Sequence, residues 1–416
     1  MDKIKFSVNN VDVLYFKTDK FKTVSTSVFF KQKESLENMA FIALLIANLT
    51  YTTQNYKTRK SLQNKLADLY DLSIAGDFDY YLDGYIASIS MKFLNKEYLP
   101  KESNLDIKAF EMLHEVIFNP NVDDGGFEEQ SFNYVKRKLL DELSKSKESK
   151  IKKTRIQLAD FLSKWDKNYY PYAVRDEEQI KKITRKQLYD FYVEKFLTNI
   201  EIYVIGNIEE KELKSMLLNK FVINQKEVKF ENLYFKKSLP KLEDQILPSS
   251  FSQSTLALVY DMPVFGDESL FWASTLLLDI LDYEIFNEVR EKKNYCYFIQ
   301  SKKNKLSNLL AIFSYMKYEN IQDTRKIVSK IIKNLASNIE QKSINTAKHN
   351  MIDALLQVND NPIAFLSTYY REKLIKDKPL NIQSLIKEIE KIKVEDVISV
   401  ARSIEEKFMF VLKEKS

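Results

Sequence analysis

Residues 286–301, FNEVREKKNYCYFIQS, pass from helix to strand character. Phe286 and Val289 sit at helical spacing, Arg290, Glu291, Lys292 and Lys293 make a charged cluster, and Tyr295, Tyr297 and Phe298 open an aromatic run of strand type. The junction is a helix end entering a sheet, and the sequence outward from it keeps the same mixture. Residues 254–260 read as a strand, 268–281 as an apolar helix, 309–318 as a strand, 324–335 as an amphipathic helix, 345–374 as a long helical stretch and 394–412 as helix then strand.

The first half follows the same order. Residues 4–16 and 23–30 read as strands joined by a polar turn at Asp19 and Lys20, and 36–49 as a helix apolar on nearly every side. Thr58 caps a helix over 58–69, strands follow at 72–78 and 80–94, and 105–118 is an amphipathic helix ending at an Asn-Pro-Asn turn. A long helical stretch begins at 127, and the half closes with a helix at 185–196 and a strand at 200–205. This is a duplicated α+β unit of about 200 residues, each copy an antiparallel sheet with packed helices. The predicted division is 1–223, a polar linker at 224–247 containing Pro240, and 248–416.

Composition narrows the function. With 44% hydrophobic and 30% charged residues over 416 positions, the chain buries a core in each unit. The net charge is +5, with Lys and Glu interleaved, so no basic face of the nucleic-acid-binding kind is expected. The first twenty residues are too charged for a signal peptide, and the longest apolar run, 39–49, is about half the roughly twenty residues that span a bilayer. A cytoplasmic location without a membrane span follows as the expectation. The single cysteine, Cys296, excludes an internal disulfide, suits a reducing compartment and reads as a small core residue.

Two stretches carry a resemblance. Residues 286–301 resemble the phrase F-x-x-V-R-E-K-x-x-L-x-Y-x-x-x-S of the pitrilysin/insulinase-type zinc metalloproteases, the group with an inverted H-x-x-E-H motif. Residues 53–99 resemble the segment after that motif. Here T-x-x-Y-x-x-R-x-x-L-x-x-x-L-x-x-L-Y runs from Thr53 to Tyr70, and Asn95 to Leu99 fit N-[KE]-[KE]-[YF]-L, as in a non-catalytic, YfmF-like bacterial branch associated with modification of elongation factor P. The resemblance implies two homologous domains closing like a clam around a chamber. It also implies that Arg290 and Tyr297 face the substrate side of that chamber. An edge strand at 72–78 would accept extended polypeptide, with Gly76 allowing close backbone approach and Ala75 offering a backbone donor.

Counted back from Thr53, the five motif positions fall on Ala43, Leu44, Leu45, Ile46 and Ala47. In active members two imidazoles four residues apart bind zinc, and the glutamate between them activates a water. Ala43, Ile46 and Ala47 can do neither, and the chain's two histidines, His114 and His349, lie in different halves. The family's third ligand maps to Glu142, an orphan because Val135 stands where active members carry another acid. No metal and no cofactor are expected. The function this implies is that of an inactive peptidase-like subunit paired with a zinc-motif-bearing homologue and handling extended peptide or unfolded polypeptide. The alternative is a stand-alone peptide-binding or assembly protein.

Overall fold

The computed structural model describes the whole chain except residues 36–37, 101–103, 167, 170–176, 219, 224, 236, 265–267, 305–306, 377–379 and 416. Its strands are β1 (Asp2–Val8), β2 (Val11–Lys17), β3 (Thr23–Lys33), β4 (Ser73–Tyr81), β5 (Gly84–Leu94), the short β6 (Val122–Asp123) and β7 (Gly126–Phe127), β8 (Ile200–Gly206), β9 (Gln245–Pro248), β10 (Ser254–Asp261), β11 (Cys296–Lys303), β12 (Leu309–Met316) and β13 (Glu405–Lys413). The helices are α1 (Met39–Leu49), α2 (Arg59–Asp68), α3 (Leu105–Phe118), α4 (Glu129–Glu148), α5 (Lys150–Trp165), α6 (Glu177–Lys182), α7 (Arg185–Glu194), α8 (Glu210–Leu217), α9 (Glu268–Ile285), α10 (Ile321–Leu335), α11 (Gln341–Asp360), α12 (Pro362–Lys376), α13 (Ile382–Lys391) and α14 (Val394–Ser403).

Two compact units result, and neither is a continuous half. The first gathers residues 1–143, 174–233 and 358–380; the second gathers 144–173, 234–357 and 381–416. The sequence reading cuts the chain once, at 224–247, whereas each half here contributes one helix to the other's unit.

In the first unit the sheet order is β1-β2-β8-β3-β5-β4, so β1 and β4 are its edges. All neighbours are antiparallel except β2 and β8. Asn9 and Asn10, both at positive φ, make the two-residue turn between β1 and β2, a conformation asparagine tolerates better than most residues. One face of the sheet packs on α1, α3 and α7 through a core that includes Tyr15, Phe30, Leu45, Tyr85 and Phe110. Against the opposite face lies α12, where Tyr370 stacks on Phe29 at 4.1 Å and Phe365 meets Phe16 edge-on at 5.1 Å. Such aromatic pairs each add about 0.5–1.5 kcal/mol beyond their buried area.

The second unit repeats the plan with five strands in the order β11-β12-β10-β13-β9, all antiparallel except β9 beside β13. Helices α9, α10 and α14 cover one face with an apolar core including Leu258, Leu277, Ile312 and Val397. The other face takes α5, whose Thr154 hydroxyl meets that of Thr255 at 2.6 Å while Phe161 leans on Phe408 and Phe410. The opening stretch is the exit of α9: residues Phe286–Lys292 wind as a π-helical turn, Asn294 takes positive φ, and β11 begins at Cys296.

Several boundaries move. The hairpin between β4 and β5 turns at Leu82 and Asp83 rather than at Asp79. The long helical stretch at 345–374 is two helices, because Pro362 lacks the amide hydrogen to continue α11 and instead opens α12. Among the described residues no helix is long and apolar enough to cross a membrane.

Candidate functional site

The would-be metal positions lie on α1, which is packed on nearly all sides. Ala43 and Ile46 are buried and Ala47 half-buried, and α1 sits between β4 and β5 on one side and α6 and α7 on the other. None of these three side chains offers a lone pair to a cation. Ile46, where the sequence reading expects the motif's glutamate to align, is a hydrocarbon that touches the edge strand: a Cβ built on Gly76 would fall far inside van der Waals contact of Ile46 Cγ2. The absent side chain at Gly76 therefore makes room for Ile46, a different cause from the ligand approach the sequence suggests.

Above α1, β4 pairs only with β5 among the described residues and leaves its outer edge open to them. The pairs run without a shift from Ser73↔Lys92 to Tyr81↔Gly84. In a two-residue hairpin the closing pair exchanges hydrogen bonds, and the pattern then alternates along the strand. Tyr81, Asp79, Asp77 and Ala75 accordingly spend their amides on β5, while Phe78, Gly76 and Ile74 aim theirs at the open edge. Consistent with this parity, the Phe78 amide donates to the Asp77 carboxylate at 2.8 Å. The open-edge donors are thus Ile74 and Gly76, and Ala75 contributes to the ladder instead. Asp77 guards one edge position in the manner of an edge-blocking acid.

The turn after α1 is held by a residue that sequence reasoning passed over. Glu115 on α3 accepts from the Asn55 amide at 3.1 Å, the Asn55 side chain at 3.0 Å and the Asn119 side chain at 2.8 Å. Buried Thr53 closes the turn with Tyr56 and bridges to Pro120. The neighbouring His114 is half-buried, stacked on Phe118 at 5.1 Å, and its pKa is pushed down by burial. It has no partner suited to a metal site. His349 is on the surface beside Asp353 at 3.3 Å.

Glu142 is an exposed residue of α4, and Val135 on the same helix is in the core. Among the described residues no group of three or more His, Cys, Asp or Glu side chains is arranged to hold a metal ion. In the second unit the Arg290 guanidinium lies over the Phe286 ring at 4.6 Å and 3.7 Å from Glu291. Tyr297 on the β11 edge is 73% exposed, with its ring pointing away from the core. Cys296 is a buried free thiol whose pKa is raised by burial, as a core cysteine should be. A Lys303 amine half-buried beside the Phe271 ring at 3.9 Å and the Ser274 hydroxyl at 2.8 Å has its pKa pushed down to about 8 by burial.

Comparison with known proteins adds the following. A family model described as the peptidase M16 inactive domain matches residues 182–351, which include the opening stretch. Over 410 residues the chain is 22% identical to the probable inactive metalloprotease YmfF of Bacillus subtilis (strain 168), covering 95% of this chain and 94% of that one. That relative is YmfF, which corrects the YfmF-like branch expected from the sequence. A conserved protein from Enterococcus faecalis V583 has a crystal structure that matches with TM-score 0.90 at 22% identity, over 100% of this chain and 99% of that one. The periplasmic protease PqqL from Escherichia coli matches with TM-score 0.76 at 12% identity, over 99% of this chain and 46% of that one. The likeness to these two solved structures is one of fold.

Proposed function

We propose, from the premise that this chain is an inactive homologue of the M16, pitrilysin/insulinase-type peptidases, that it is the silent subunit of a cytoplasmic heterodimer whose other subunit carries the H-x-x-E-H motif. Its part is to hold extended polypeptide on the β4 edge. One observation carries the reading: β4 keeps an open edge directly over an α1 whose metal positions are occupied by packed hydrocarbon. Chemistry is gone while the backbone surface that adds a strand is kept. Length supports a second subunit, since the fold of this chain accounts for 46% of the protease PqqL. Arg290 and Tyr297 enter the proposal as chamber-lining groups supplied to the partner's substrate, and the tie to elongation factor P enters on the branch resemblance alone.

The test is to mix the purified chain with a zinc-motif homologue from the same organism, then measure complex mass by light scattering and hydrolysis of an unfolded-protein substrate. A one-to-one complex with raised hydrolysis is expected, lowered again by Arg290→Ala or Tyr297→Ala. Unchanged hydrolysis and no complex sink the pairing. Because the open edge lies within a single unit, peptide binding by the chain alone in that experiment would favour the stand-alone reading.

A further inference from the structure

Beside the emptied site stands an arrangement of side chains with no acceptor of its own. Tyr51, just past α1, stacks on Tyr134 of α4 with ring centres 5.1 Å apart and planes 20° from parallel. The Arg59 guanidinium lies 5.8 Å from the Tyr51 ring, and that of Arg137 5.6 Å from the Tyr134 ring. Arg59 is fixed by a 2.7 Å bond from Nη1 to the Thr50 carbonyl. Among the described residues neither arginine has a carboxylate within ion-pair distance, and neither tyrosine hydroxyl has a protein partner. Arg137 and Tyr134 are exposed.

A guanidinium held 5.6–5.8 Å from a ring centre and paired with no carboxylate keeps N–H donors for a ligand, a fork that matches a carboxylate. Apart from the Arg59 Nη1 bond to the Thr50 carbonyl, the guanidinium donors of the cluster have no acceptor among the described residues. Sequence neighbours reinforce it: Lys57, Lys60 and Lys138 are exposed close by, against Asp141 and Glu142 one turn along α4. Thr50 ties the cluster to the edge strand. It accepts from Arg59, and its Cγ2 would lie 3.5 Å from a Cβ on Gly76, the middle of the open β4 edge.

We propose that Arg59, Tyr51, Tyr134 and Arg137 form a carboxylate-binding platform that selects acidic extended segments for the β4 edge. This rests on the edge-binding reading above and adds the chemistry of what binds. A strand laid on β4 presents alternate side chains to its flanks, and one bearing Glu or Asp meets the two guanidiniums as its backbone pairs with Ile74 and Gly76.

Two fluorescein-labelled, end-blocked decapeptides test it by anisotropy: TVTEVETVTK and its twin with Gln for both Glu. The wild type should bind the Glu peptide about tenfold more tightly, as charge-assisted hydrogen bonds would give. In Arg59→Gln/Arg137→Gln the ratio should fall to about one while the twin's affinity is unchanged. Arg137→Gln alone, which breaks no backbone contact, should already lower the ratio and serves if the double variant misfolds. Equal binding of the two peptides by the wild type, an unaltered ratio in the variants, or tighter binding of a labelled thymidine decanucleotide overturns the platform. Failure of the edge reading looks different: neither peptide binds, or Ile74→Pro leaves the twin's affinity intact.

Discussion

Gly76→Ala probes the closest contact between the edge strand and the emptied site. The new Cβ would fall roughly 1 Å or more inside the 3.5–4.0 Å optimum for carbon contacts with Ile46 Cγ2, and it would also meet Thr50 Cγ2 at 3.5 Å and the Ser88 carbonyl at 3.6 Å. Ile46 cannot swing aside, because a β-branched side chain in a helix is held to one χ1 well. β4 would therefore have to lift from α1, and overpacking of this kind costs about 1–3 kcal/mol. The offending atom is the γ-branch, so Ile46→Leu, which removes that branch at constant volume and alone costs under about 1.5 kcal/mol, should rescue Gly76→Ala. Ile46→Val keeps the branch and should not. The coupling between Gly76→Ala and Ile46→Leu should be favourable by about 1–2 kcal/mol, or roughly 2–8 °C in melting temperature for a unit of this size. Both tryptophans, Trp165 and Trp272, belong to the second unit, so the assay is hydrogen exchange on α1 and β4 together with circular dichroism. Additive effects, or equal rescue by Val and Leu, would refute the contact as the reason for glycine.

Ile74→Pro and Ala75→Pro separate the two edges of β4: the first should weaken peptide binding with little loss of stability, the second should break a ladder bond to β5 and lower the melting temperature. The opposite pattern would show that the inferred hydrogen-bond parity is wrong. Ala43→His/Ile46→Glu/Ala47→His should destabilise the first unit by several kcal/mol, about 1–3 for each buried polar group left unpaired. A well-folded triple variant that takes up one zinc and cleaves peptide would contradict this. For Lys303, the folded pKa of about 8 lies below the unfolded value near 10.4, so between those values the unfolded chain binds more protons and stability rises with pH. Below pH 8 the full penalty applies, at most about 3 kcal/mol. Lys303→Met should stabilise the second unit at pH 7 and flatten the rise between pH 8 and 10.5, read by tryptophan fluorescence; an identical slope in wild type and variant would exclude the amine as its source.

What could be read in the sequence was whatever depends on local pattern. The all-round apolar character of 39–49 places α1 in the core, and 72–78 reads as a strand whose place at an edge came from the family resemblance alone. Cys296, wedged among aromatics, reads as buried. Less legible were features set by tertiary partners. That α5 covers the sheet built from the second half of the sequence and α12 the sheet built from the first cannot be seen in their amphipathic periodicity, which says that a face is buried but not against which strands. The π-helical turn at Phe286–Lys292 looks like ordinary helix from its spacing. The parity of β4 follows from a turn at Leu82 and Asp83, and a turn placed at Asp79 hides it. The role of Glu115 could not be seen because its partners, Asn55 and Asn119, lie at a distance or across a turn. Arg59 stands in the motif that carries the family resemblance, whereas Tyr51 lies before it and Tyr134 and Arg137 reach it only through folding.

Loss of metal ligands alone would leave a hole, and a hole could be refilled by restoring the ligands. Here the position expected to align with the motif's glutamate is a packing element: Ile46 occupies the volume under Gly76, and the separation of β4 from α1 is set by that pair. The side chain that excludes the general base is therefore the one that fixes the height of the open edge. A glutamate at 46 would need a route to solvent or to metal that the surrounding Leu44, Leu45 and Leu49, all fully buried, do not provide. The open edge and the apolar packing at the expected metal positions are one structural fact, so a variant that takes up zinc there should also move β4. Hydrogen exchange of residues 73–81 in any zinc-binding revertant checks this: protection equal to that of the present chain would separate the two and show that the edge keeps its place without Ile46.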